Sequence, residues 1–157
     1  METFLLRNPD IKVAGCIYGA PFFEFAEHNQ INVFRRILAM TISAIGEEIV
    51  LNPIMQAQWI CHEKKYWQKM QGVDGTQMAL ISGGVSVSMM DKIDDIKANY
   101  DKHTLPVLLL TAGKDKVVDN KGAREFLKHI KTPESKKQIK LFYNAYHQVH
   151  KEPQYKA

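Results

Sequence analysis

The sequence predicts an α/β fold with parallel strands, and three stretches near its C-terminal end carry that prediction. Leu105-Pro106-Val107-Leu108-Leu109-Leu110-Thr111-Ala112 is an unbroken apolar run entered by a proline and closed at Gly113, which reads as a strand buried on both faces. From Asp119 a helix is expected: a capping residue comes first, and Ala123, Phe126, Leu127 and Ile130 then fall at helical spacing. Ile139 to Tyr143 is a second short apolar segment. Residues 105–147 therefore read as strand, acidic loop, helix, strand and histidine loop. Each strand leaves a titratable group just past its end, Asp115 after the first and His147 after the second. Open α/β sheets place their chemistry at that lip. An acid that orients a histidine base makes up two thirds of a nucleophilic triad.

In chain order, Thr3 to Pro9 has the look of the last turns of a helix, stopped by Asn8-Pro9. Ile11 to Phe23 reads as a buried strand ending among Gly19 and Pro21. From about 29 to 72 the texture becomes helical and rich in methionine, isoleucine and aromatic residues. Ile31, Phe34, Ile37, Leu38, Thr41, Ile42 and Ile45 lie on one stripe that Gly46 stops. Ile54, Met55, Ala57, Trp59, Ile60 and Trp67 form a less regular helical piece among Lys64, Lys65 and Lys69. A longer segment starts at Asp74-Gly75-Thr76, with Met78, Ile81, Val85, Met89, Ile93 and Ile96 recurring every three or four residues. Gly83-Gly84 is its weak spot, where a bend is expected.

With 157 residues the chain has room for one domain and a core, and its 45% hydrophobic and 24% charged content is that of an ordinary soluble protein. No apolar run approaches the roughly 20 residues that cross a bilayer, and Met1-Glu2-Thr3 opens no signal peptide. A cytoplasmic location is expected, at most peripheral to a membrane. Cys16 and Cys61 lie in unrelated settings without metal-type spacing and read as buried free thiols. The net charge of +4 owes much to Lys128, Lys131, Lys136, Lys137 and Lys140, a solvated face with room for weak attraction to an anionic lipid surface. Aromatic residues are not interleaved with that charge, so nucleic-acid binding is not expected. Neither a metal site nor a dinucleotide fingerprint is present, so no cofactor is implied.

The run Thr111-Ala112-Gly113-Lys114-Asp115-Lys116-Val117-Val118-Asp119-Asn120-Lys121-Gly122-Ala123, with Tyr143-Asn144-Ala145-Tyr146-His147-Gln148-Val149-His150-Lys151-Glu152 after it, resembles the C-terminal part of the monoacylglycerol lipase and lysophospholipase branch of the α/β-hydrolases, also described as serine aminopeptidase-like. The resemblance implies a partial α/β-hydrolase fold as a single domain over 1–157. Residues 1–24 would supply a helix end and a core strand, 25–102 a helical cap forming an acyl-binding slot, and 103–157 the C-terminal core, with the N-terminal half of the sheet missing. It also implies a carboxyl-ester hydrolase of Ser-His-Asp mechanism in which Asp115 and His147 are the acid and the base, with a lipid-like ester or another apolar ligand as its partner. About 32 residues, one helix and one strand separate the two, which suits the chain order Ser, Asp, His.

Asp119 competes for the acid role, but its place before a helix suits an N-cap. His150 matches the family sequence at a position that is not the base, and His28, His62, His103 and His129 read as surface or partly buried side chains. The family's Gly-x-Ser-x-Gly elbow occurs nowhere in the chain, and Ser82-Gly83-Gly84-Val85-Ser86 is only an imitation of it. Loss of the nucleophile of a serine triad costs on the order of a millionfold in turnover. The polypeptide alone is therefore expected to be inactive and, with an apolar sheet edge uncovered, prone to aggregate or to need a partner. The alternative is a non-catalytic truncated paralogue or gene fragment that binds an apolar ligand or a protein.

Overall fold

The computed structural model of the protein describes residues 8, 10–27, 33–46, 50–51, 56–71 and 81–155. Three parallel strands form its main sheet in the order β1-β4-β5: β1 is Cys16–Gly19, β4 Val107–Ala112 and β5 Lys137–Phe142. The register runs from Cys16 opposite Val107 to Gly19 opposite Leu110, and from Val107 opposite Lys137 to Ala112 opposite Phe142. β1 is shorter than the strand expected over 11–23, because pairing starts only where the Cys16 N–H meets the Pro106 carbonyl at 2.8 Å; Ile11 and Val13 before it are exposed. The reading of 3–9 as a helix end lies, apart from Asn8, outside the described residues.

β4 is the central strand, and its alternation decides where the core sits. Val107, Leu109 and Thr111 face the helix α4, Asn120–His129, and are fully buried. Phe126 of α4 is 0% exposed; it stacks on Phe23 at 4.5 Å between centroids and meets Tyr100 edge-on at 5.1 Å. Ala123, Ile130 and Cys16 complete this cluster. Burial of six aromatic or aliphatic side chains, Phe23, Tyr100, Val107, Leu109, Phe126 and Ile130, contributes about 1.5–3 kcal/mol each.

The opposite face corrects the expectation of a strand covered on both sides. Ile17 on that face is 65% exposed, and Leu108 and Leu110 are only partly covered.

Between β1 and β4 the described chain is mainly helical: α1 is Val33–Ile45, α2 Lys64–Gln71 and α3 Gly83–Ala98, with β2 (Val50–Leu51) and β3 (Ile81–Ser82) paired antiparallel. α1 and α3 bury Ala39, Met90 and Ile93 around Phe25. Arg36 ties the two helices by bonds to Asp94 at 2.6 Å and Asp91 at 3.1 Å, and the bond and charge of Asp94 raise the guanidinium pKa further. The apolar stripe of α1 faces outward instead of inward: Phe34, Ile37, Leu38 and Ile45 are all exposed.

Gly83-Gly84 does not bend a helix but opens one. Ser82 is the N-cap, and its hydroxyl accepts the Val85 N–H at 3.3 Å, which satisfies a donor the first turn would leave open. Trp59 lies in a short 3₁₀ turn, Ala57–Trp59, ahead of α2. Ile31, residues 52–55 and residues 72–80, which include Met78, are outside the described residues. Cys16 and Cys61 are both buried and neither is in a disulfide. No helix among the described residues is long and apolar enough to cross a membrane.

Candidate active site

Past β4 the chain turns at Gly113, where only hydrogen fits: a Cβ there would collide with the Tyr143 backbone. That close approach lets the loops after β4 and β5 lace together. The Gly113 N–H donates to the Phe142 carbonyl and the Lys114 N–H to the Ala145 carbonyl, each at 2.9 Å. Asn120 donates its side-chain amide back to the Ala112 carbonyl at 2.7 Å. On the far side, the Asp119 N–H reaches the Glu24 carbonyl at 3.0 Å, and Phe25 bridges to Val118. The acidic loop is thereby pinned from three directions.

Asp115 in that loop is used at both oxygens. Oδ1 accepts the Val117 and Val118 N–H groups at 2.8 and 3.0 Å, which closes the turn. Oδ2 lies 3.0 Å from Nδ1 of His147, and the two side chains are 1% and 21% exposed. A carboxylate only accepts, so the proton in this bond sits on Nδ1 and the lone pair is left on Nε2. In that tautomer an imidazole can take a proton from a neighbouring nucleophile. His147 lines a cleft of about 400 Å³ together with Gly19, Leu110, Phe142 and Tyr155. A cavity of about 480 Å³ beside Glu24, Tyr100 and His129 includes neither member of the pair.

The structure thus brings together the two residues that the sequence singles out from distant loops. Asp119 is the N-cap of α4, its carboxylate accepting the Lys121 N–H at 2.7 Å. His150 is exposed, and so is His129, whose Nδ1 meets the Glu125 carbonyl at 2.8 Å. His28 lies outside the described residues. His103 departs from the expectation of a surface or partly buried side chain: it is buried, with Nε2 3.1 Å from the Leu105 carbonyl, because its ring packs edge-on against Phe126.

Sequence reasoning missed a second layer. Glu152 is 0% exposed; Oε1 accepts the Tyr146 N–H at 2.6 Å, and Oε2 lies 2.8 Å from Nδ1 of His62. The His62 ring stacks on Tyr146 at 3.8 Å. In the sequence Glu152 is only the end of the His150-Lys151-Glu152 run, and nothing local announces its burial. Among the described residues no group of three or more His, Cys, Asp or Glu side chains could hold a metal ion.

Residues 2–154 match the family model described as serine aminopeptidase, S33. The chain belongs to that family. As an S33 member it has part of the α/β-hydrolase fold, and solved monoacylglycerol lipases share that part. The lipase of Paleococcus ferrophilus superposes with a TM-score of 0.81 at 21% identity, over 98% of this chain and 58% of that one. A soluble variant of the Saccharomyces cerevisiae monoglyceride lipase, solved with a substrate analogue, superposes with a TM-score of 0.73 at 17% identity, over 95% of this chain and 54% of that one. This S33 chain therefore spans somewhat more than half the length of its structural neighbours. No curated protein matches it at a significant level.

Proposed function

We propose that this chain carries the acid and the base of a carboxyl-ester hydrolase of the monoacylglycerol lipase or lysophospholipase type, with Asp115 holding His147 as the base. The observation that carries the reading is the 3.0 Å contact between the buried Asp115 carboxylate and Nδ1 of His147. In the proposed cycle Nε2 takes the proton of a serine as that serine attacks the ester carbonyl, and returns it to the departing alcohol. Water then hydrolyses the acyl-enzyme with the same histidine as base. The lipid-like substrate is suggested by the lipase neighbours and by the helical segment between β1 and β4, read as a cap over an apolar ligand. That segment's exposed stripe on α1, Phe34, Ile37, Leu38 and Ile45, suits contact with a lipid surface.

The sequence has no Gly-x-Ser-x-Gly, so the same reading makes the 157-residue polypeptide inactive until a nucleophile is supplied. A chimaera tests it: the N-terminal part of the Paleococcus ferrophilus lipase that this chain does not cover, fused ahead of Met1 and assayed on a monoacylglycerol. Turnover in the chimaera that falls by three or more orders of magnitude in His147→Ala, with none in the unfused chain, supports the proposal. Turnover by the unfused chain, or a chimaera indifferent to His147, overturns it.

A second reading is favoured by the uncovered sheet face around Ile17, 65% exposed: a non-catalytic chain that binds an apolar ligand or a protein there. A folded chimaera without turnover would select this reading.

A further inference from the structure

We infer that Glu152 is a positioning residue for His147, acting through a clamp that joins the histidine loop to the segment 59–62. The inference rests on the reading of His147 as the base. Three consecutive backbone N–H groups in the histidine loop are held from outside the loop's own strand: Tyr146 by Oε1 of Glu152 at 2.6 Å, His147 by the Trp59 carbonyl at 3.4 Å and Gln148 by the Ile60 carbonyl at 2.7 Å. The same carboxylate reaches the other side of this seam, where Oε2 faces the His62 N–H at 3.4 Å and His62 Nδ1 at 2.8 Å.

Glu152 bonds both strips at once, and its own side chain is 0% exposed. The His62 ring, flat against Tyr146 at 3.8 Å and 14°, closes the clamp from outside. Asp115 holds the imidazole at one ring nitrogen only, Nδ1, 3.0 Å away. A hydrogen bond at a single atom leaves the ring free to swing with its backbone. The backbone of residues 146–148 must therefore be held by something else, and Glu152 with the segment 59–62 does so.

Chemistry explains why a carboxylate suits this place. Two oxygens that only accept can serve Tyr146 on one side and His62 on the other. An amide retains one acceptor for Tyr146 and can place its NH₂ against His62 Nδ1 if that ring changes tautomer, losing only the long 3.4 Å bond from the His62 N–H, so glutamine is the conservative, partial rescue. Alanine leaves the Tyr146 N–H and the His62 donors without their carboxylate acceptor.

The test is proton NMR on the full chain, reading solvent exchange of the His147 Nδ1 proton and of the Tyr146 and Gln148 amides. The wild type is expected to show the His147 Nδ1 proton bonded to Asp115. Glu152→Ala should speed its exchange by about tenfold or more, the factor that loss of one charge-assisted bond puts on a local opening. Glu152→Gln should stay within about threefold of wild type and move the His62 proton from Nδ1 to Nε2, a signature that a generic packing role would not produce. Should Glu152→Ala fail to fold, His62→Phe keeps the stack on Tyr146, and its Gln148 amide should still exchange several-fold faster. Unchanged exchange in a folded Glu152→Ala, or in His62→Phe where the alanine variant does not fold, overturns the inference. A wild type without a His147 Nδ1 proton bonded to Asp115 instead overturns the catalytic reading on which it rests.

Discussion

Replacing Asp115 separates its two duties, because asparagine can perform one of them and alanine neither. In Asp115→Asn the side-chain oxygen can still accept from Val117 and Val118, while the amide is left facing His147. Three bonds to a charged acceptor become neutral ones, a loss of about 1 kcal/mol each, partly offset because a buried charge no longer has to be desolvated; the net expectation is about 1–3 kcal/mol. In Asp115→Ala the N–H groups of Val117 and Val118, both buried, lose their acceptor at about 1–3 kcal/mol each, so about 2–6 kcal/mol is expected. Against a typical total of roughly 5–15 kcal/mol, the alanine variant stands near the edge of folding.

Urea unfolding followed by tryptophan fluorescence reads these differences as midpoint shifts at constant slope. Long-range proton–nitrogen correlation spectra read the second duty. Facing an amide donor, His147 must accept at Nδ1 and carry its proton on Nε2, the opposite of the wild type. An asparagine variant that keeps the proton on Nδ1, or an alanine variant as stable as the asparagine one, would refute the two-sided role assigned to this carboxylate.

Three further outcomes follow from the packing. Gly113→Ala drives a methyl group into the Tyr143 backbone and should lower stability by about 3 kcal/mol while loosening the histidine loop, seen as faster exchange of the Lys114 amide that bonds Ala145. Phe126→Ala removes the fully buried ring between Phe23 and Tyr100 and should cost about 3–5 kcal/mol by urea unfolding; a loss under about 1 kcal/mol would mean the core lies elsewhere. Ile17→Lys, on the open sheet face, should change stability by no more than about 0.5 kcal/mol yet reduce self-association in light scattering, and unchanged scattering would count against that face as the adhesive one.

Much of the candidate site could be read from the chain alone, since its signals are local. A proline entry, an apolar run and a glycine turn mark β4, and an aspartate ahead of helical spacing marks the start of α4. Asp115 and His147 stand out because each follows a strand end, and the flanking runs are those of a known family. The same local rules failed where neighbours far along the chain decide the outcome. By local rules Gly83-Gly84 is a weak spot within a helix, but Ser82 pairs with Val50 in a strand and then caps a helix that begins at the glycines.

What the amino-acid order determined is the strand, helix and strand of the C-terminal part and the two titratable groups past the strand ends, because periodicity, capping and turn chemistry act over a few residues. Only the tertiary structure decided which faces those elements cover: the α1 stripe points outward, and the Ile17 face of the sheet stays open. It also decided that Glu152 lies fully buried against His62, 90 residues away in sequence. Burial and hydrogen-bond partnership depend on what else occupies the space around a side chain, and that is settled only when distant segments pack.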